Sequence, residues 1–328
     1  MTQEHPFAGY IRTLGKGKKG TRDLTREEAA QAMSMILQRQ VLPEQLGAFL
    51  MLMRVKEEAA AELTGFADAV REAIAAPKLA VDLDWATYAG KRRRHPWYVL
   101  SALALANSGV RVFMHGSHGH TPGRLYAQDV LEALGVPVAQ SWQEVEQQLD
   151  SAHFAYLPLE KMSDVLGELM TLKPILGLRS PVHTLSRMLN PLHAPCAIDA
   201  VFHPPYGPKH QETARQLGTP RNLTLKGDGG EAEVRPDSES WALWTLDGEL
   251  SEQQWPRLVP RRLVRDEDMS LDTVVKLWRG EIEHEYGNAA AVSTIAITLK
   301  LLGKGEDPSE LFVKAEQIWQ ARDRQMGG

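Results

Sequence analysis

A single cysteine, Cys196, in 328 residues excludes an internal disulfide framework and any zinc site built on thiolates, and fits a reducing compartment. No apolar run approaches the roughly 18 residues that cross a bilayer, so no membrane span is expected. The opening residues, Met1-Thr2-Gln3-Glu4-His5, lack the charged and then apolar segments of a secretory leader, and a cytoplasmic location is expected. Excess positive charge is missing too: 37 Lys and Arg against 42 Asp and Glu leave a net charge of −5. That balance speaks against a histone-like or tail-driven polyanion binder and leaves room only for a local basic patch. Internal repeats are absent, as are helix-turn-helix, zinc-finger and RNA-recognition signatures. What is present is 43% hydrophobic residues, enough for a chain of this length to bury a core without staples.

The first 80 residues read as helices. Thr25-Arg26-Glu27-Glu28 is a capping box, and Ala29, Ala32, Met33, Ile36 and Leu37 follow at helical spacing. Pro43 suits a first turn before Leu46, Phe49, Leu50 and Met53; Leu63, Phe66, Ala67, Val70 and Ile74 form a further face that Pro77 ends. Short connections make these a small bundle, whose apolar faces either fill a core or meet a second subunit.

From residue 81 strands alternate with helices. Val110–Phe113, Phe154–Leu157 and Ala197–Phe202 read as buried strands, with helices over Trp97–Asn107, Asp129–Leu134 and around Val165-Leu166. The alternation predicts an α/β domain with a mostly parallel sheet. Between Asn222 and Leu250 closely spaced short strands are expected, turned at Asp228-Gly229 and Asp247-Gly248. The C-terminal stretch returns to helices, with Gly303 as a cap.

Three stretches can carry chemistry. Met114 to Gly123, after a strand and before a helix, is rich in glycine and holds His115, His118 and His120; a phosphate cradle, a metal and a plain turn all remain open readings, zinc being disfavoured because no carboxylate or thiol completes a set. The densest basic run, Lys91-Arg92-Arg93-Arg94-His95, precedes Trp97 and Tyr98, a juxtaposition that suits phosphates and unpaired bases, though charge runs are more often solvated surface. Lys16, Lys18, Lys19 and Arg22 form a second basic loop; it is not a P-loop, since no Gly-Lys-Ser/Thr occurs and a helix precedes it. These two runs hold eight of the 37 basic residues and no acidic one. Lys209 and His210, on a helix after Pro204-Pro205, can extend a groove, whereas Arg257, Arg261, Arg262 and Arg265 face neutralisation by Asp266-Glu267-Asp268.

Taken in order, these motifs resemble the anthranilate phosphoribosyltransferases and the related pyrimidine nucleoside phosphorylases. The residues that carry the resemblance are Leu24 to Ala29, His115-Gly116, Asp129-Val130-Leu131-Glu132-Ala133-Leu134-Gly135, Gly177-Leu178-Arg179-Ser180 and Leu189-Asn190-Pro191-Leu192. The resemblance implies a helical domain over 1–80, completed by part of 173–195, and an α/β domain over 81–172 and 196–328. It also implies a homodimer formed through the helical domain.

The family's chemistry is less well matched. Its Gly-Thr-Gly-Gly-Asp pyrophosphate loop becomes Thr87-Tyr88-Ala89-Gly90-Lys91-Arg92, and its Asn-x-Ser-Thr phosphate contact falls at Pro96-Trp97-Tyr98. Met114 replaces the loop lysine, Ser117-His118 replaces Asn-Arg, and the magnesium-holding Asp-Glu becomes at best Glu231, with Glu233 displaced. Arg179 matches an arginine that grips the aromatic acid; His115, Gly116, Arg179 and Glu231 are the residual substrate-site residues. Such losses resemble the divergent YbiB-type branch, which is associated with nucleic-acid binding. The expectation is therefore a sequence-independent nucleic-acid binder, DNA or RNA, needing no cofactor. Lys91 to His95 would line its groove, with Trp97 or Tyr98 stacking on bases. The alternatives are a glycosyl- or phosphoribosyltransferase with an altered substrate, which would need magnesium, and an adaptor that uses the acidic surface.

Overall fold

The computed structural model describes residues 4–17, 19–264 and 268–325. Four helices come first: α1 (Ala8–Gly15), α2 (Arg26–Leu37), α3 (Pro43–Lys56) and α4 (Ala60–Ile74). The capping box forms as expected, the Glu28 amide donating to Thr25 Oγ1 at 3.2 Å and the Thr25 amide to Glu28 Oε2 at 2.9 Å. Buried Glu62 ties the bundle together, accepting from the amides of Leu24 and Ala59 and from Lys56 Nζ. Gly65 lets α2 and α4 meet backbone to backbone: a Cβ there would lie 2.1 Å from the Arg26 carbonyl oxygen.

The remaining elements are β1 (Leu83–Thr87), α5 (Tyr98–Asn107), β2 (Val112–Gly116), α6 (Ala127–Ala133), α7 (Trp142–Ala152), β3 (Phe154–Pro158), α8 (Leu159–Met162), α9 (Asp164–Met170), α10 (Lys173–Leu176), α11 (Val182–Leu185), β4 (Cys196–Val201), α12 (Gly207–Gln216), β5 (Arg221–Lys226), β6 (Ser240–Leu246), β7 (Glu249–Trp255), α13 (Leu271–Arg279), α14 (Glu285–Leu301) and α15 (Pro308–Gln320). The sheet runs β3-β2-β1-β4-β5-β6-β7, parallel through β5 and antiparallel at β6 and β7. This is the small helical domain and mostly parallel α/β sheet that the sequence implied.

The pleat divides the interior. Leu83 and Trp85 of β1, Val112 and Met114 of β2, and Phe154 and Tyr156 of β3 pack with α5, α6, α13, α14 and α15. The alternate residues Ala86, Phe113, Ala155 and Leu157 pack with the N-terminal bundle, α7, α9 and α11. The bundle thus shares one core with a face of the sheet. Val182, Leu185, Met188 and Leu189, from the 173–195 stretch, belong to that core.

Two details differ from expectation. Asp247-Gly248 does turn the β6–β7 hairpin, with φ of 49° and 87°. Asp228-Gly229 does not make a hairpin turn: it lies in a short 3-10 segment (Asp228–Gly230) on the long connection from β5 to β6. Among the described residues no helix is long and apolar enough to cross a membrane.

The strand order reverses between β1 and β4, because the chain leaves β1 toward β2 and β3 and returns to β4 and β5 on the other side. Open α/β sheets bind ligands outside the carboxyl ends of the strands at such a switch point. The loop after β1, the loop after β4 and the segment after β5 all converge there.

Candidate anion-binding site

The loop after β1 is tied down from three sides. The backbone amides of Ala89 and Gly90 both donate to Glu231 Oε1, at 2.6 and 2.5 Å. Lys91 pairs its backbone with Leu125 in an antiparallel bridge, at 2.7 and 2.8 Å. Arg124 Nη1 donates to the carbonyls of Ala89 and Gly90 at 2.8 and 3.1 Å. Gly90 takes φ +65°, and a Cβ there would press on Tyr126 at 3.0 Å, so a side chain at this point is excluded on both counts.

This is the loop that the resemblance aligns with the pyrophosphate cradle. Its amides hold a carboxylate of the protein itself. Its lysine is equally occupied: Lys91 Nζ lies 2.9 Å from Glu233 Oε1 and 3.5 Å from Asp228, with Lys91 and Glu233 each 1% exposed at the side chain. Glu233 Oε2 accepts the Tyr98 amide at 3.0 Å. Burial raises Glu231 and Glu233 above the ordinary carboxyl range, against the pull of Arg187 on the first and of Lys91 on the second. A magnesium ion does not fit these residues, because Lys91 already supplies the positive charge between Glu233 and Asp228. Among the described residues no group of three or more His, Cys, Asp or Glu is placed to hold a metal.

His115 and Gly116, expected in a loop, are the last residues of β2 and are buried. His115 Nδ1 meets the Tyr88 hydroxyl at 2.6 Å and Nε2 meets Asp84 Oδ1 at 3.1 Å. All three side chains are buried, so the Asp84–His115–Tyr88 chain is a core feature, and burial holds the Tyr88 phenol well above its ordinary value. The other histidines of the stretch diverge, His118 to Asp129 at 2.8 Å and His120 to the Tyr88 carbonyl at 2.8 Å.

Beside the closed loop lies an open cavity of about 280 Å³, lined by Arg54, Arg124, Arg179 and Arg187, by His183, His203 and His210, and by Phe202 and Tyr206, with no Asp or Glu in its wall among the described residues. Each arginine comes from a different element: α3, the stretch before α6, the stretch before α11, and the 3-10 turn after α11. Arg187 is anchored by its bonds to the carbonyls of Ala200, Gly230 and His183. Arg179 reaches Thr121 Oγ1 at 3.0 Å and Arg54 reaches the Tyr206 hydroxyl at 3.2 Å. Burial, and then the charges of Arg124 and Arg187, pull Arg179 below the usual arginine range. Burial likewise holds His183 down at about 3 and His120 at about 4, so both rings are neutral near pH 7. A concave wall of crowded guanidinium donors recognises an anion with several acceptor oxygens.

The expected basic strip is largely dismantled by folding. Lys91 points inward, as described. Arg94 is 7% exposed, donates to the carbonyls of Val264 and Leu263, and stacks 3.6 Å from the Tyr286 ring centroid. His95 is 1% exposed and reaches the Ser270 carbonyl, and Trp97 is fully buried against it. Tyr98 is also buried, its hydroxyl 2.6 Å from Thr87 Oγ1. The physical reason is that the run leads into α5, which is buried against the sheet, so Arg94, His95, Trp97 and Tyr98 must find internal partners. Arg92 and Arg93 alone of the run are exposed.

His210 is buried against Asp199 at 2.9 Å, and Lys209 pairs with Glu57 at 2.9 Å. In the N-terminal loop Lys16 and Lys19 are exposed, Arg22 pairs with Glu28 at 2.6 Å, and Lys18 lies outside the described residues. Arg261 pairs with Glu285 at 2.7 Å and Arg262 lies 3.6 Å from Asp237, while Arg265, Asp266 and Glu267 of the expected neutralising cluster lie outside the described residues.

Of the residual site residues, Arg179 lines the cavity and Glu231 fills the loop. Sequence reasoning missed Arg54, Arg124, Arg187, His183 and Phe202. Arg124, directly after Pro122-Gly123, carried a usable signal as a cation between a glycine-rich stretch and a helix. The others are single residues far apart in sequence, with no local pattern to mark them.

Residues 8–74 match the helical bundle domain of a glycosyl transferase family, and residues 99–255 match its a/b domain. The chain is 30% identical over 247 residues to the anthranilate phosphoribosyltransferase of Methylobacterium nodulans, covering 74% of this chain and 72% of that protein. It is 25% identical over 238 residues to the uncharacterized protein YbiB of Escherichia coli, covering 70% of this chain and 73% of that one. Its fold matches anthranilate phosphoribosyltransferase from Saccharomyces cerevisiae in complex with PRPP and Mg, with TM-score 0.78 at 15% identity, over 99% of this chain and 96% of that one. The protein is a two-domain α/β chain on a phosphoribosyltransferase-like scaffold. It belongs to this glycosyl transferase family.

Proposed function

We propose that this protein uses the transferase scaffold as a non-catalytic binder of single-stranded nucleic acid, without sequence preference, gripping phosphate in the arginine-walled cavity. One observation carries the reading: a wall with four arginines, and with no Asp or Glu among the described residues, opens at the strand switch point, while the neighbouring loop is closed by Glu231 and Lys91. Exposed Arg92 and Arg93, with Lys16 and Lys19, add phosphate contacts on the surface. The buried members of the run contribute none, so the salt dependence is shallower than a run of six contacts would produce. One phosphate in the cavity and four on the surface, about five on a single strand, correspond to a slope of log K against log[salt] of about −3.5. Fluorescence anisotropy with several DNA and RNA oligonucleotides at a series of salt concentrations tests this. Absence of binding at low salt, or affinity indifferent to salt, overturns it.

A transferase with an altered substrate is the second reading, favoured by the cavity's position at the carboxyl ends of the strands and by relatives that are anthranilate phosphoribosyltransferases. Magnesium-dependent thermal stabilisation by phosphoribosyl pyrophosphate would support it; no shift at saturating ligand would remove it. A homodimer through the helical domain is supported by exposed apolar side chains there: Leu42, Val55, Ile175 and Leu178 are 53%, 80%, 80% and 52% exposed. Light scattering on the wild type and on Val55→Glu/Ile175→Glu tests that interface.

A further inference from the structure

The cavity has a rim whose chemistry general phosphate binding leaves unused. The carboxyl end of β4 contributes the buried Ala200 and Val201 to its wall.

The rim is aromatic and cationic. Phe202 is 52% exposed, with Lys226 Nζ 5.1 Å from its ring centroid and the His203 ring edge-on at 4.9 Å. An exposed ring beside an ammonium group and a second ring is a stacking platform for an unpaired base. At about 280 Å³ the cavity lies just under the roughly 300–1,000 Å³ of ordinary ligand pockets, which suits one nucleotide and excludes a duplex.

We propose that the cavity captures the phosphorylated end of a single nucleic-acid strand, with the terminal phosphomonoester among Arg54, Arg124, Arg179 and Arg187 and the first base against Phe202. An internal phosphodiester carries one charge. A terminal phosphomonoester carries nearly two at neutral pH and offers three acceptor oxygens, the better match for several guanidinium groups around one point. The inference rests on the nucleic-acid reading above, and the following experiment separates failure of one from failure of the other.

The full chain is titrated with a labelled single strand, and competitors of the same sequence displace it: 5′-phosphorylated, 3′-phosphorylated, hydroxyl at both ends, and circular. A mononucleotide and inorganic phosphate complete the set. A phosphorylated end is expected to compete about tenfold better than the hydroxyl-ended strand. That advantage should vanish in Arg179→Ala and in Phe202→Ala, a surface substitution that leaves the melting temperature unchanged, whereas Arg92→Ala/Arg93→Ala should weaken phosphorylated and hydroxyl-ended strands alike. Equal competition by phosphorylated, hydroxyl-ended and circular strands overturns end capture while leaving nucleic-acid binding standing. Mononucleotide or phosphate competing as well as the phosphorylated strand overturns the strand as occupant and leaves a small-phosphate site. No displacement because no strand binds overturns both readings.

Discussion

Glu231 Oε1 accepts the amide of Gly90 at 2.5 Å, across 141 residues of chain, and the amide of Ala89 at 2.6 Å beside it. Two adjacent amides pointing at one oxygen form an anion cradle, and here the anion is a side chain of the protein. Lys91, one residue on, completes the arrangement by placing its ammonium between Glu233 and Asp228. The loop is held in place by its own carboxylate and its own cation, which makes its geometry independent of any bound ligand.

Removing that carboxylate should be costly. Glu231→Ala leaves two buried amides unpaired, and at roughly 1–3 kcal/mol for each unsatisfied group the loss is a large part of a domain's stability. Glu231→Gln keeps an acceptor and should lose less. Urea denaturation of the two variants orders them; equal stability of Glu231→Ala and wild type would show that the loop does not depend on this contact.

Lys91→Met should destabilise by about 3–5 kcal/mol, because it strands Glu233 as an uncompensated buried carboxylate. The double variant Lys91→Met/Glu233→Leu should recover much of that loss, since it removes both charges. A double-mutant cycle by chemical denaturation measures the coupling.

The two halves of the basic run should separate cleanly. Replacing exposed Arg92 and Arg93 with Ala should leave the melting temperature unchanged and reduce the salt slope of strand binding by about 1.4, at about 0.7 per contact. Arg94→Ala should do the reverse, lowering stability through the lost bonds to Val264 and Leu263 and the lost stacking on Tyr286. Anisotropy and thermal melting on both variants test the division.

Acidification should weaken the fold around the cavity. His183 and His120 are held at about 3 and about 4 against an ordinary 6.5, chiefly by burial. Groups depressed in the folded state take up protons more readily in the unfolded chain, so the stability they contribute is whole above pH about 6.5 and is lost as pH falls through about 4 to about 3. Glu231 and Glu233, raised by burial, work in the opposite direction, favouring the fold more as they become protonated. Comparing melting temperature against pH for wild type and His183→Gln isolates the histidine contribution; the variant should show the flatter acid limb.

The elements were legible in the sequence wherever local physics decides them. The Thr25–Glu28 capping box, Pro43 in a first turn, the apolar faces of α2 to α4, and the Asp247-Gly248 hairpin all formed as their residues imply. Asp228-Gly229 carried the same dipeptide signal and made no hairpin, because Gly227 to Glu231 is drawn back to the β1 loop by the Glu231 contact. β1 went unrecognised because polar Asp84 and Thr87 interrupt its apolar residues, and both are buried on partners from other segments.

The sequence by itself determined the family scaffold, most of the helices and strands though not β1, and the loss of the glycines and carboxylates expected of a pyrophosphate and magnesium site. It could not decide which charges face water. Lys91 to His95 looked like a surface strip because charge runs are read locally, while burial is set by where the following helix docks and which distant carboxylates and carbonyls it meets. The cavity was invisible for the converse reason: Arg54, Arg124, Arg179 and Arg187 are scattered over more than a third of the chain, and only the reversal of strand order between β1 and β4 brings them to one wall.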